Sequence, residues 1–410
     1  MKKVLLGTLA VLTLAACSKD EVIQQNPNDE ISFSVVTNKA VSRAADGYCN
    51  LTKPANMVVS ALYTTDGSTW KTYFTNETYT KGTGSIYAIT GSALRYWPDL
   101  GTDADNVKMK FFAMVNATPA WDGTTGMKVE NFTVESTVSA QKDVLYAVQE
   151  VEKKPDGAQA INFRHALSKI EFKAKNENKN IYVEISRVKV CNVNSKGNFK
   201  FSASTVGNID IHESTGSYPA EVGKWSAWAD LTSYETAAFG PVKLSQKKYE
   251  GETLKTPEEA AEASPLTISG EYNANTMYLL PQKFELYTGT GTDDPNLTNV
   301  WNGSGKPESG AYFLVETKIQ NVAAGNGTRA AVDDVYLWGN STTAKYIAVP
   351  MPKETNWEPG KRYVYTFVFT TDGNGGTDPE KGEPVLVPIK LNVTVDDFVD
   401  GGNKDVTMNK

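Results

Sequence analysis

Histidine and cysteine, which supply many metal ligands, nucleophiles and general bases, occur at only five positions in this chain of 410 residues: His165, His212, Cys17, Cys49 and Cys191. A metal site needs several such ligands brought together, and a nucleophile needs a base beside it. So few residues, scattered along the sequence, exclude most of that chemistry. Cys49 and Cys191 are far apart, and we expect two free, buried thiols. The sequence therefore predicts no enzyme, no metal site and no cofactor.

The two histidines are better explained by structure than by chemistry. His165 lies in an apolar, strand-like segment, which predicts a structural histidine bonded to the backbone. His212 alternates with Asp210, so both would lie on one face of a short strand, and a solvated face is favoured over a cation site. The glycine-rich stretches 289–291 and 373–376 lack the helix and lysine of a phosphate-binding loop, so they predict turns.

The chain begins with an export leader. Lys2 and Lys3 precede an apolar stretch over residues 4–16, which is too short to span a bilayer as a helix. Small residues then precede Cys17, and this order resembles the lipobox of bacterial lipoproteins. It predicts cleavage before Cys17 and acyl chains on that cysteine, which hold a protein stably on a membrane. An ordinary cleaved signal with a chance cysteine is the alternative.

The residues after Cys17 indicate where the protein goes. The short acidic stretch 18–21 resembles a signal that sends lipoproteins of some Gram-negative anaerobes to the outer surface. Loss of residues 1–16 removes two lysines and no acidic residue, which takes the formal net charge from −7 to −9. The chain has no long basic stretch, so nucleic acid is excluded as a partner. We expect a lipid-anchored outer-membrane protein exposed at the cell surface.

Composition and length predict an all-β protein with two tandem β-sandwich domains. Thr, Val, Tyr, Asn and Gly are frequent, which favours strands and turns. A strong turn signal near residue 156 is the candidate domain boundary. The predicted parts are a lipoprotein signal peptide at 1–17, a tether with a removable first strand at 18–43, an N-terminal sandwich at 44–157 and a C-terminal sandwich at 158–410.

Three further segments carry structural expectations. Residues 107–115 are apolar on both faces towards their end, which predicts a central strand. The apolar phase switches within residues 161–172, and a β-bulge near 166–168 would account for it. The stretches 202–265 and 285–310 are predicted to be long loop insertions, with a helix at 256–263.

The two ends of the chain carry the clearest strand patterns. The apolar members of the last strand are Ile389, Leu391, Val393 and Val395. Those of the first strand are Ile31, Phe33 and Val35. The last strand is either an ordinary edge strand or a strand that completes a neighbour's sheet after the first strand has vacated a groove. A cut between Arg43 and Ala44 would free the first strand.

Five motifs in this order resemble the fimbrillin family, the subunits of type V pili of Gram-negative anaerobes. They are the lipobox at Cys17, residues 31–33 ahead of 42–44, residues 163–170, residues 357–365 and residues 389–399. The resemblance spans the whole chain. It implies two transthyretin-like β-sandwich domains with long loop insertions.

The resemblance also implies a structural role. An arginine-specific protease would cut at Arg43 and Ala44, and residues 389–399 would then fill the groove of the next subunit by donor-strand exchange. The implied partners are other fimbrial subunits, the processing protease and a ligand on a host or bacterial surface. The alternative is a monomeric surface lipoprotein that binds glycan or a host ligand through loops carrying Trp225, Trp228 or Trp301.

Overall fold

The structure of the chain is a computed structural model. The structure describes residues 24–35, 54–89, 94–99, 107–123, 126–152, 157–178, 180–201, 224–236, 242–244, 247–250, 253–257, 264–265, 276–284, 310–321, 335–351, 356–371, 376, 378–380, 385, 387 and 389–397. Strands dominate this part of the chain, which confirms the all-β prediction. Single 3-10 turns occur at Thr83–Ser85 and Val138–Ala140.

The strands are numbered in chain order. They are β1 Gln24–Glu30, β2 Phe33–Val35, β3 Asn56–Thr64, β4 Lys71–Lys81, β5 Ile86–Ile89, β6 Tyr96–Asp99, β7 Lys108–Val115, β8 Ala120–Trp121, β9 Met127–Thr133, β10 Leu145–Val151, β11 Gln159–Ile161, β12 Arg164–His165, β13 Ser168–Asn176, β14 Ile181–Lys200, β15 Lys224–Glu235, β16 Val242–Leu244, β17 Lys247–Glu250, β18 Thr253–Pro257, β19 Ser264–Pro265, β20 Met277–Leu279, β21 Tyr312–Asn321, β22 Val335–Trp338, β23 Lys345–Pro350, β24 Lys361–Phe369 and β25 Ile389–Asp397. No helix among the described residues is long and apolar enough to cross a membrane.

Eight strands form the sheet that contains the first strand, here called the N-terminal sheet. Their order is β11-β2-β5-β4-β3-β7-β10-β12. The predicted central strand is confirmed, because β7 lies between β3 and β10 and is buried along nearly its whole length. A separate two-stranded ribbon joins β1 to β6.

Two further sheets contain most of the second half of the chain. The last-strand sheet has the order β19-β13-β24-β25, with β20 also paired to β13. The long-strand sheet has the order β22-β21-β14-β9-β8, and β15, β16 and β23 pair onto β14 or β21. Its central element is β14, a strand of 20 residues, about twice the upper end of the usual range.

Two hydrophobic cores lie on opposite faces of the N-terminal sheet. Alternate residues of a strand point to opposite faces, so Phe111 and Phe112 of β7 contribute to different cores. Phe112 belongs to the larger core, which also fills the space between the long-strand and last-strand sheets. Phe111 belongs to the smaller core, which also contains Phe33 of the first strand.

The structure explains the phase switch at residues 161–172 without a bulge. β12 belongs to the N-terminal sheet, whereas β13 belongs to the last-strand sheet. Phe163 therefore packs in the smaller core, while Leu167 and Ile170 pack in the larger one. The predicted bulge was wrong, because the chain passes from one sheet to another between β12 and β13. This passage changes which residues of the segment face a core, without an inserted residue. The two-domain division at residue 157 stays a prediction.

Two expectations about the stretch 202–265 were wrong in part. The region is not all insertion, because β15 pairs with β14 from Lys189↔Glu235 to Lys200↔Lys224. The predicted helix begins within a strand instead, since Thr256 and Pro257 end β18. The remainder of that predicted helix lies outside the described residues. Pairing of β18 with the nearby strand β17 outweighs the helical propensity of this segment.

His165 packs inside the fold beside an acidic residue. Its side chain is buried, and its Nδ1 atom contacts the carboxylate of Asp143. The backbone carbonyl of Asp143 accepts a hydrogen bond from Asn116 Nδ2 at 2.8 Å. The histidine therefore ties the short strand β12 to the loop before β10.

A buried ion cluster lies on the last-strand sheet, opposite the larger core. The Glu171 carboxylate accepts hydrogen bonds from Arg362 Nε at 2.9 Å and Nη2 at 2.7 Å, and Lys169 Nζ lies 3.2 Å from its other oxygen. Burial alone would raise the pKa of Glu171, but the charges of Lys169 and Arg362 outweigh it and hold that pKa below its usual value. The cluster links β13 to β24.

Replacing Glu171 by Gln should lower the free energy of unfolding by about 3 kcal/mol at neutral pH, because two buried cations lose their shared anion. The folded-state pKa is lowered, so this stabilisation is present above the unfolded pKa and is lost as the pH falls through the folded value. Urea unfolding at neutral and acidic pH measures both effects.

The matched control is Glu177→Gln, which removes the more exposed pair between Glu177 and Lys175. That change should cost at most about 1 kcal/mol. A difference between Glu171→Gln and the parent chain that stays constant down to strongly acidic pH would contradict the linkage.

Candidate functional site

The segment predicted as the first strand, Ile31–Val35, lies between two other strands. It contains β2, which pairs antiparallel with β5, through Phe33↔Tyr87 and Ser34↔Ile86, and parallel with β11 over Gln159–Ile161. We call the space that Ile31–Val35 occupies between β5 and β11 the first-strand slot. Its two walls fix the direction of any strand that occupies it with the same pairing.

The inward side chains of the slot are completely buried. Ile31 and Phe33 have 0% of their surface exposed and Val35 has 5%. The Phe33 ring packs edge-on against Tyr79, with ring centres 4.8 Å apart, and against Phe111 at 5.1 Å. Such edge-to-face pairs add about 0.5–1.5 kcal/mol each beyond the area buried. Phe33 is thus the central anchor of the first strand.

The floor of the slot carries a buried phenol. The Tyr79 hydroxyl is buried and has no hydrogen-bond partner among the described residues. Burial raises the pKa of Tyr79, with a smaller contribution from Glu77, so the group is a neutral phenol. Beside it, the Glu77 carboxylate pairs with Arg95. The slot is therefore apolar where Phe33 packs and polar at its rim.

Few backbone bonds hold the first strand in the described region. Ile31 N–H donates to the Arg95 carbonyl at 2.7 Å, and Gln159 N–H donates to the Ser32 carbonyl at 2.8 Å. The ladder to β5 covers two positions and the ladder to β11 covers three. Side-chain burial, at about 1.5–3 kcal/mol per large apolar residue, is thus the main stabilising term.

The outward face of the slot is open to solvent. Ser32 and Ser34 are half-buried, whereas Ile86 on β5 has 45% of its surface exposed. Ala160 on β11 is exposed as well. Polar side chains are therefore accommodated at the Ser32 and Ser34 positions.

The last strand lies at the edge of a different sheet. β25 pairs antiparallel with β24 along its whole length, from Lys361↔Asp397 to Phe369↔Ile389. Ile389 is buried, while Leu391, Val393 and Val395 are partly buried against the larger core. In the described part of the chain, β25 has β24 as its only partner strand. An edge strand can leave by breaking a single ladder.

The remaining predicted site residues are placed less completely. Cys17, Arg43 and Ala44 lie outside the described residues, as do Cys49 and Trp301, and the side chain of Trp228 is not described either. Cys191 is buried, as predicted.

Trp225 does not lie in a surface loop. It belongs to β15, is buried in the larger core, and donates its Nε1 hydrogen to the Ala166 carbonyl at 2.5 Å. Its predicted availability to a glycan was therefore wrong, because the indole covers the larger core beside Phe199.

The comparison with protein families identifies the chain. A sequence model described as Fimbrillin-like matches residues 42–397. The chain belongs to the fimbrillin-like family. No curated protein matches it significantly.

Solved structures give matches over nearly the whole chain. A fimbrial protein from Bacteroides vulgatus has a TM-score of 0.50 and 15% identity, covering 91% of this chain and 100% of that one. A candidate cell adhesion protein from Bacteroides ovatus has a TM-score of 0.43 and 13% identity, covering 91% and 98%. A fimbrial assembly protein from Parabacteroides distasonis has a TM-score of 0.34 and 12% identity, covering 90% and 98%. At these identities, the first match concerns the fold alone.

Sequence patterning identified the strand that fills the slot but not the slot itself. Tyr79 and Phe111 form its floor, and Gln159–Ile161 forms one wall. These segments are far apart in sequence, and β4 is rich in polar residues. The only local signal was Phe111 on a strand predicted to be central.

Replacing Phe33 by Ala should destabilise the full chain by about 3–5 kcal/mol, because it empties the site between Tyr79 and Phe111. Urea unfolding followed by circular dichroism measures the change. The control is Ser34→Ala on the outward face, which should stay within about 0.5 kcal/mol. Equal effects of the two substitutions would mean that the first strand is not part of the core.

Proposed function

We propose that this chain is a structural subunit of a cell-surface fimbria, assembled by donor-strand exchange and supporting adhesion. The observation that carries the proposal is a fimbrillin-like chain whose first strand buries its apolar side chains in a slot through few backbone bonds. Lipid on Cys17 would anchor the exported precursor in the outer membrane. Cleavage between Arg43 and Ala44 would then release the first strand from the body.

Cleavage changes the competition for the slot. Before it, the first strand is covalently tied to its own slot and has a high effective concentration there, which excludes other strands. After it, that advantage is lost, and a strand on a second subunit competes on its own affinity. Proteolysis thus acts as the trigger for assembly.

Burial of side chains supplies a gain for a donated last strand. Leu391 and Val393 are only partly buried at the edge of their own sheet. The slot positions of Phe33 and Val35 are 0% and 5% exposed. Each donated side chain would therefore lose further apolar surface to the slot, at about 25 cal/mol per Å². This gain offsets part of the free energy lost when β25 breaks its backbone hydrogen bonds to β24.

The proposal predicts that cleavage and the last strand are both needed for assembly. Limited digestion of the purified full chain with an arginine-specific protease should cut near Arg43 and produce a ladder of oligomers on gels run without boiling. Deleting residues 388–410 should abolish the ladder, because no donor strand remains. Arg43→Ala should also prevent it, by blocking the cut.

Mass spectrometry of the digest verifies the cleavage site, and circular dichroism verifies that the deletion variant is folded. A chain that is cut after Arg43 and stays monomeric at high concentration contradicts the proposal. Retention of such a monomer on immobilised glycans would instead support a monomeric glycan-binding lipoprotein.

A further inference from the structure

We propose that the last strand of a second copy enters the first-strand slot in one specific register, with Ile389, Leu391 and Val393 at the positions of Ile31, Phe33 and Val35. This inference rests on the proposed function and specifies its partner. It names a second copy of this chain as the donor and Leu391 as the residue that determines how well it fits.

The pattern of side chains supports this register. The slot is filled by Ile-x-Phe-x-Val, and the last strand begins with Ile-x-Leu-x-Val. Two of the three inward residues are identical in type, and the third is a smaller apolar residue in the central site. Smaller inward residues avoid overpacking, which strains a close-packed interior.

Strand direction is consistent with the same register. The first strand runs antiparallel to β5 and parallel to β11. A donor that preserves both ladders must run in the same direction through the slot. Read in that direction, the order Ile389, Leu391, Val393 matches Ile31, Phe33, Val35. No reversal of the chain is required.

The outward residues also agree. In this register, Lys390 replaces Ser32 and Asn392 replaces Ser34. Those positions face outward beside Ile86, which is 45% exposed. Lys390 and Asn392 are themselves exposed in β25. Because Ser32 and Ser34 are only half-buried, the polar side chains of the donor would keep part of their hydration after transfer and avoid the cost of full burial.

Other registers fit less well. A shift by one residue turns Lys390 and Asn392 into the apolar core, because side chains alternate between faces. A shift by two residues in one direction places Val393 in the Phe33 site and leaves a larger void. A shift by two in the other direction places Leu391 at the Val35 site, which is sized for a smaller residue. The proposed register is the one with the least misfit.

The central site makes Leu391 the specificity residue. A leucine there cannot reproduce the edge-to-face contacts of Phe33 with Tyr79 and Phe111. The donor should consequently bind less tightly than the first strand it replaces. A donor with an aromatic residue at this position should bind more tightly than the native last strand.

Disulfide trapping between two copies tests the register. One copy carries Ile86→Cys, and the other carries a single cysteine at position 390, 392 or 394. Ile86 is the direct partner of Ser34, so Asn392→Cys should form the mixed disulfide. Cys17→Ser and Cys49→Ser remove two of the three native cysteines, and the third, Cys191, is buried. In both copies, the recognition sequence of a site-specific protease replaces residues 38–43. The folded full chains are cut with this protease, mixed and then oxidised.

Each outcome has one interpretation. Preferential trapping through Asn392→Cys supports the register, whereas preferential trapping through Lys390→Cys or Thr394→Cys overturns it and leaves donor-strand exchange intact. Oligomers that form without any of these disulfides would mean that another segment is the donor. Absence of oligomers altogether would contradict the proposed function itself.

Peptide competition tests the role of Leu391. The cut full chain is incubated with fluorescent peptides spanning 387–397, and anisotropy reports their entry into the slot. Leu391→Phe should bind about tenfold more tightly than the parent peptide, because two edge-to-face contacts are restored. Val393→Phe should bind more weakly, because it overfills the Val35 site.

A matched control uses the first strand itself. A peptide spanning residues 29–37 should compete more strongly than the last-strand peptide, and Phe33→Leu should remove about tenfold of its affinity. Tighter binding of Val393→Phe than of Leu391→Phe would overturn the register. Binding of the first-strand peptide without any binding of the last-strand peptide would overturn the choice of a second copy as donor.

Discussion

The packing of Phe33 between Tyr79 and Phe111 is the contact on which the N-terminal sheet depends. The ring contributes to a core formed by β3, β4, β5 and β7, yet the strand that carries it pairs at only a few backbone positions. The same short segment therefore contributes buried apolar side chains to the core and is held by few backbone hydrogen bonds. In the described residues, β11 has β2 as its only partner strand, so an emptied slot would leave two unpaired edges and an apolar cavity. Such a state has a strong drive to acquire a replacement strand.

The larger core gives this open state a rigid support. β14 pairs with β21 through its first half and with β9 through its second half, and it is the central strand of the long-strand sheet. Phe201, just beyond its end, packs against Phe112 and Tyr146 of the N-terminal sheet. The face of that sheet opposite the slot is thereby covered independently of the first strand. Loss of the first strand would affect the smaller core while the larger one keeps its contacts.

Local patterning predicted the strands whose environment is one-sided, and it failed where the environment depends on distant chain segments. The alternation at both ends of the chain identified Phe33–Val35 and Ile389–Asp397, because each has one face buried. The polar strand β4 was missed, since most of its side chains are exposed and no apolar period marks it. Trp225 suggested a surface loop, but pairing of β15 with β14 turned it into a core residue. The change of sheet after His165 left a phase switch in the sequence whose cause is tertiary. Likewise, no sequence window contains both walls of the slot.

The two end strands differ in the contacts that hold them, and this difference would favour the slot as the place of the last strand in the proposed exchange. The first strand has complete side-chain burial and a short ladder, whereas the last strand has a long ladder and incomplete burial. Moving the last strand into an emptied slot would break its backbone bonds to β24 and bury more of its apolar side chains. The broken bonds cost little net free energy each, because bonds to water replace them, whereas apolar burial contributes more. Transfer of the first strand to the edge beside β24 would expose Phe33 and would gain only backbone hydrogen bonds. In the proposed exchange, side-chain burial would therefore favour an emptied slot over the edge beside β24 as the place of the last strand. Proteolysis would decide when the exchange begins, because it would let the tighter-binding first strand dissociate.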